Sequence, residues 1–203
     1  KKPIEKLYAV AASFKPNMVL NHYGFTDNCE VIFYDYSKSA LAFKKMLVKE
    51  WDGEDYPRFL TYAQKKFRIN ETGGNGTETL SRKQLWEREL EWWGSEKAIK
   101  EHWDRYRRLN HKYIHCDICC NPEKITSTIT PDENSVIWWS NAFHTVGAQY
   151  LRGVSGVKTC YETWLKQIND KNPDIWILGK DYLDRPIEGD KLKDYLSAYT
   201  SQN

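Results

Sequence analysis

The chain has 203 residues, of which 29% are charged, yet the charges nearly cancel to a formal +2. The aromatic share is 14%, with nine Trp, and side chains that bury such large areas exclude a disordered chain. The near-balance of charge gives no electrostatic case for nucleic acid or an anionic membrane surface as a partner, and no apolar run approaches the length of a membrane span. The five Cys are an odd number for a disulfide framework. They read as reduced thiols in a cytoplasmic setting.

The opening KKPIEKLYAV has no initiator Met and no signal-peptide pattern. It reads as a chain excised from a larger polypeptide or trimmed to its ordered part. LYAVAA (7–12) is a short apolar run that predicts a first strand, and Ser13, Pro16 and Asn17 supply turn chemistry after it. A short helix over 17–23 is expected to end at Gly24. EVIFYD (30–35) predicts a second strand. Ser37 then caps a helix whose Leu41, Met46, Leu47 and Val48 cover a core face.

Residues 51–110 read as a helical insertion. WDGEDYP is a turn, Tyr56–Phe67 a helix, and the Gly-rich polar stretch 71–79 a mobile loop containing one of two glycosylation sequons, at Asn70 and Asn75. Ser81-Arg82-Lys83-Gln84 is a capping-box pattern for a helix carrying Trp86, Leu90 and Trp93 on one face. Gly94-Ser95 breaks it, and Ser95 caps its continuation through Ile99, Trp103 and Tyr106.

KYIHCDI (112–118) is expected to be the third strand and SVIWWSN (135–141) the fourth. A long amphipathic helix over 146–168 follows, with apolar residues at 150, 151, 154, 157, 161, 164, 165 and 168. DIWILG (174–179) is the fifth strand, and a last helix spans 190–199. Strands that are apolar throughout and alternate with helices predict an α/β domain: a Rossmann-like three-layer sandwich, its mainly parallel sheet flanked by helices on both faces. In such sheets ligands sit beyond the carboxyl ends of the strands.

At those ends stand Ala12 and Ser13, small enough for close approach, then Asp35 with Tyr36, then Asp117 with Ile118, then Ser140 and Asn141 with His144 just beyond. A rigidly held carboxylate at Asp35 suits the two hydroxyls of a ribose. A second at Asp117 suits the exocyclic amine of adenine. Each Asp equally suits a plain turn or N-cap role. Trp138 and Trp139 suit packing or stacking on a ring.

LYAVAAS, VIFYDYS, YIHCDI and VIWWSNAFH, in this order, resemble the class I S-adenosylmethionine-dependent methyltransferases over most of the chain outside the insertion. The resemblance implies that S-adenosylmethionine is held by Ala12, Ser13, Lys15, Asp35, Tyr36, Asp117, Ile118 and Ser140, with Lys15 pairing its carboxylate. It also implies methyl transfer to a small-molecule or otherwise unknown acceptor, with His144 as base and Asn141 orienting the acceptor. Two features depart from the family. The turn after the first strand, ASFKPN, contains no Gly, and no final antiparallel strand pair is visible after residue 185. The missing glycines also exclude a dinucleotide fingerprint and a phosphate-cradling loop.

Two other readings accompany the enzyme. One is a catalytically silent domain of the same fold serving binding or assembly. The other is a zinc-stabilised module built on His111, His115, Cys116, Cys119 and Cys120, metal-ligand types that a strand would send to opposite faces. Buried free thiols are the plainer state of those cysteines.

Overall fold

The computed structural model describes residues 2–67, 81–132 and 134–201. The loop at 71–79 and both sequons lie outside the described residues. The chain divides into two compact units, one formed by residues 1–41 with 110–203 and the other by residues 42–109.

The first unit holds a six-stranded sheet of β1 (Ile4–Val10), β2 (Phe25–Asp35), β3 (Asn110–His115), β4 (Ser135–Trp138), β5 (Trp176–Lys180) and β6 (Pro186–Lys191). The spatial order is β3-β2-β1-β4-β5-β6. Every neighbouring pair is parallel except β5 with β6. The central strands form because Leu7–Val10, Val31–Tyr34 and Ser135–Trp138 are buried runs of apolar and small residues, the signature of strands covered on both faces. The Tyr34 hydroxyl donates to the Trp138 carbonyl at 3.0 Å, which ties β2 to β4 across β1.

The helices of this unit are α1 (Lys15–Tyr23), α6 (Glu123–Thr126), α7 (Val146–Asn169) and α8 (Leu192–Thr200), with the start of α2 (Lys38–Glu50). Trp164 of α7 is buried against Tyr34, Trp139 and Phe143.

Four sequence expectations need correction here. A strand does follow residue 185, namely β6, antiparallel to β5. It escaped notice because Pro186, Gly189 and the charged residues between them disfavour strands. The third strand ends at His115, not at Ile118, because Asp117 starts a turn through Cys120 and Asn121. β4 ends at Trp138, and Trp138 and Trp139 are both buried. The apolar stripe on the long helix is broken. Gly153 adopts φ 65, ψ 171 inside α7, so Tyr150, Leu151 and Val154 are 88, 74 and 58% exposed, while Val157, Tyr161, Trp164, Leu165 and Ile168 are buried.

The second unit holds most of α2 with α3 (Tyr56–Phe67), α4 (Arg82–Trp93) and α5 (Glu96–Tyr106). Both halves of the expected capping box are present at Ser81, and the Ser95 side chain accepts from the Ala98 N–H. The core is aromatic. Trp51 lies within 6.4 Å, centroid to centroid, of Tyr56, Phe59, Trp86 and Trp103.

His102 of α5 packs on Trp93 and Tyr106. Burial, with Arg105 nearby, pushes its pKa down to about 4. The unfolded imidazole takes up its proton near pH 6.5, so the contribution of neutral His102 is complete above that pH and is lost as pH falls towards 4. A urea-denaturation series on wild type and His102→Asn should show the variant losing less stability over this window, by about 2–3 kcal/mol.

Candidate functional site

In the observed order, β1 lies between β2 and β4; the chain runs from β1 to β2 on one side and from β4 to β5 on the other, so the winding reverses between β1 and β4. The crevice beyond the carboxyl ends at such a reversal is where open α/β sheets take ligands. Ala12 and Ser13 follow β1, Asp35 closes β2 with Tyr36 after it, and Asp117 and Ile118 follow β3. Ser140, Asn141 and His144 follow β4. All therefore stand at one edge of four adjacent parallel strands.

Asp35 is half-buried. Its carboxylate accepts the Ser37 N–H at 2.8 Å, and the backbone N–H of Ala11, at the end of β1, lies near enough to favour its charged form. Burial raises its pKa, opposed by those two N–H groups and by His115. One bound donor leaves a carboxylate with free lone-pair directions, so it retains capacity for hydroxyl donors. Tyr36 is exposed, and its carbonyl meets His115 Nε2 at 2.9 Å.

Ser13 answers the missing glycine. It adopts φ 39, the left-handed conformation that a Gly-rich turn usually provides. Its hydroxyl accepts the Lys15 N–H at 3.2 Å. Lys15 itself is exposed at the start of α1. Ser140, across the crevice, is also left-handed, at φ 57.

Asp117 sits two residues past the β3 end. Its Oδ1 accepts the Cys119 N–H at 2.8 Å, a bond within its own turn. The Ile118 side chain is buried and acts as core. Arg152 of α7 donates to the Cys120 sulfur at 2.6 Å. All five cysteines are free, Cys29 and Cys116 buried, and burial pushes the Cys116 thiol up to about 11. Among the described residues no group of three or more His, Cys, Asp or Glu side chains is arranged to hold a metal ion.

Asn141 precedes a 3-10 turn, Ala142–His144. The Asn141 carbonyl accepts the His144 N–H at 2.9 Å, and its side-chain oxygen lies 3.4 Å from the Ser140 hydroxyl. His144 Nδ1 lies 3.6 Å from Asp184 Oδ1, whose other oxygen receives the Lys180 ammonium at 2.9 Å.

Asp184 escaped sequence reasoning. It belongs to the β5–β6 turn, which is organised by buried Asp181: Asp181 Oδ1 accepts the Leu183 and Arg185 N–H groups at 2.8 and 2.9 Å, and Oδ2 pairs with the Arg185 guanidinium. The Asp-Arg-Pro run at 184–186 was the available signal for a turn. The partner imidazole lies 40 positions earlier, beyond any local pattern.

The structure thus places at this edge a half-buried carboxylate at the β2 tip, two left-handed serines after β1 and β4, and an imidazole beside the Asp184 carboxylate. No family model matches the chain, and no curated protein sequence matches it.

Proposed function

We propose that the chain is an S-adenosylmethionine-dependent methyltransferase of Rossmann-like three-layer build, with residues 51–110 as a helical insertion and the cytoplasm as its compartment. The observation that carries the reading is Asp35, a half-buried carboxylate anchored by the Ser37 N–H at the tip of the strand beside the reversal point. Among the described residues no helix is long and apolar enough to cross a membrane, and the five free thiols suit a reducing compartment.

The residues fit the group in part. Asp35 would accept from the ribose hydroxyls. The left-handed Ser13 turn would let backbone approach the amino-acid moiety, with Lys15 beside it to meet a carboxylate. Asp117 fits less well, because it lies two residues past the end of β3 and not at the strand tip. When bound, the cofactor supplies an electrophilic sulfonium methyl. The chain's own task is to align and desolvate the acceptor. His144, beside Asp184, takes the acceptor's proton where there is one to lose, and Asn141 orients the acceptor's polar group.

A catalytically silent domain of the same fold is the second reading, favoured by the glycine-free turn ASFKPN after β1. One experiment separates the two. In S-adenosylmethionine at about 100-fold its dissociation constant, the melt should gain roughly 2.7 kcal/mol, and Asp35→Asn should remove most of that gain. The gain should also fade on acidification, because protonating Asp35 removes an acceptor and its raised pKa brings this on earlier than for an ordinary Asp. A melt indifferent to both the methyl donor and its demethylated product leaves the silent reading standing.

A further inference from the structure

At the opposite edge of the sheet, where the parallel strands begin, lies a cavity of about 220 Å³. Its apolar wall is Ile4 of β1, Val136 of β4 and Leu178 of β5, and its aromatic wall is Tyr23 at the end of α1 with Trp176 at the start of β5. Lys2 and Lys191 also line it. The Lys191 ammonium stands 5.9 Å from the centre of the Trp176 ring and 3.2 Å from Asp174 Oδ1. Lys193 reaches the same oxygen at 2.7 Å. These two lysines, Lys193 first, hold the Asp174 carboxyl below its usual range. Lys2 and Lys191 thus bring two ammonium groups to the cavity, that of Lys191 shared with Asp174.

Two local features keep the space open. Gly189 in β6 has φ +99, and a Cβ there would lie 3.0 Å from the Tyr23 hydroxyl. A glycine inside a strand weakens it and recurs where a ligand approaches the backbone closely. The β5–β6 register also slips between Ile177 and Leu178, and such irregularities re-aim side chains beside functional sites. The volume is below the roughly 300–1,000 Å³ of pockets for drug-sized ligands. A single ring therefore suits it and a nucleotide does not.

We infer that this cavity is a binding site for a small aromatic carboxylate, its ring against Tyr23, Trp176 and the aliphatic wall and its carboxylate at Lys2 and Lys191. Apolar walls favour the ring by desolvation, and an ammonium beside low-dielectric walls favours the anion over an uncharged analogue. The site is independent of the crevice at the other edge of the sheet.

The test is a fluorine NMR titration of the whole chain with 4-fluorobenzoate, using 4-fluorobenzyl alcohol as the uncharged comparison. Benzoate binding should saturate by about 1 mM, a modest affinity for so few atoms. Lys191→Gln should weaken benzoate about five-fold or more while leaving the alcohol unchanged. Val136→Phe, which fills the cavity, should abolish both. A linear, non-saturating response of wild type overturns the inference, as does undiminished binding by a folded Val136→Phe protein. Should that variant not fold, Lys191→Gln decides alone, and equal effects on the charged and uncharged ligands count against the site.

Discussion

Trp51→Ala should lower the stability of the 42–109 unit by about 3–5 kcal/mol, the range for truncating a fully buried large aromatic. Trp51 is almost wholly buried, and two hydrogen bonds run through it. Its indole N–H donates to the Glu54 carbonyl at 2.7 Å, and its own carbonyl accepts the Trp103 indole N–H at 2.9 Å. Truncation would therefore leave a void among Tyr56, Phe59, Trp86 and Trp103 and an acceptor at Glu54 without its donor. Trp164→Phe offers a contrast. The Trp164 indole nitrogen is buried with no hydrogen-bond partner among the described residues. Removing that donor should offset much of the lost area, keeping the change within about 1 kcal/mol. Chemical denaturation followed by near-ultraviolet circular dichroism would measure both.

Gly179→Ala should destabilise the protein by about 2–5 kcal/mol, and Gly179→Val by more. Gly179 has φ +148, and a Cβ there would meet Trp139 Nε1 at 2.9 Å and the Ser140 carbonyl oxygen at 3.0 Å. Neither neighbour can yield easily. Trp139 is fully buried with its indole N–H held by the Lys180 carbonyl at 2.8 Å, and the Ser140 carbonyl accepts the Lys180 N–H at 2.7 Å. Overpacking of about 1–3 kcal/mol adds to backbone strain of about 1–2 kcal/mol. The damage should also spread to the candidate site, because these contacts place the Ser140–His144 segment. If the proposed S-adenosylmethionine site is real, weaker S-adenosylhomocysteine binding by a Gly179→Ala protein that still melts cooperatively would show that coupling. Binding equal to wild type would mean that the segment is positioned by other contacts.

The parallel sheet was legible because its strands advertise themselves. LYAV, VIFY and SVIW are short runs fit for burial, separated by helical patterns. The Ser81 and Ser95 caps were legible for the same local reason. The first half of β2, FTDNC, was not, since its polar residues carry no strand signal. β6 was hidden by Pro186 and Gly189. The α7 break at Gly153 depends on backbone conformation that one glycine permits but does not announce. Of the candidate site, Asp35 could be picked out because a carboxylate ending an apolar strand is conspicuous. The left-handed serines at 13 and 140, the engagement of Asp117 by its own turn and the approach of Asp184 to His144 are products of backbone geometry and long-range topology.

The most direct measurement is a crystal structure with S-adenosylhomocysteine soaked in. The account predicts a ribose whose two hydroxyls donate to the Asp35 carboxylate, with the amino-acid end beside Ser13 and Lys15. A nucleoside bound elsewhere, or one in this crevice whose hydroxyls do not reach the Asp35 carboxylate, would contradict it.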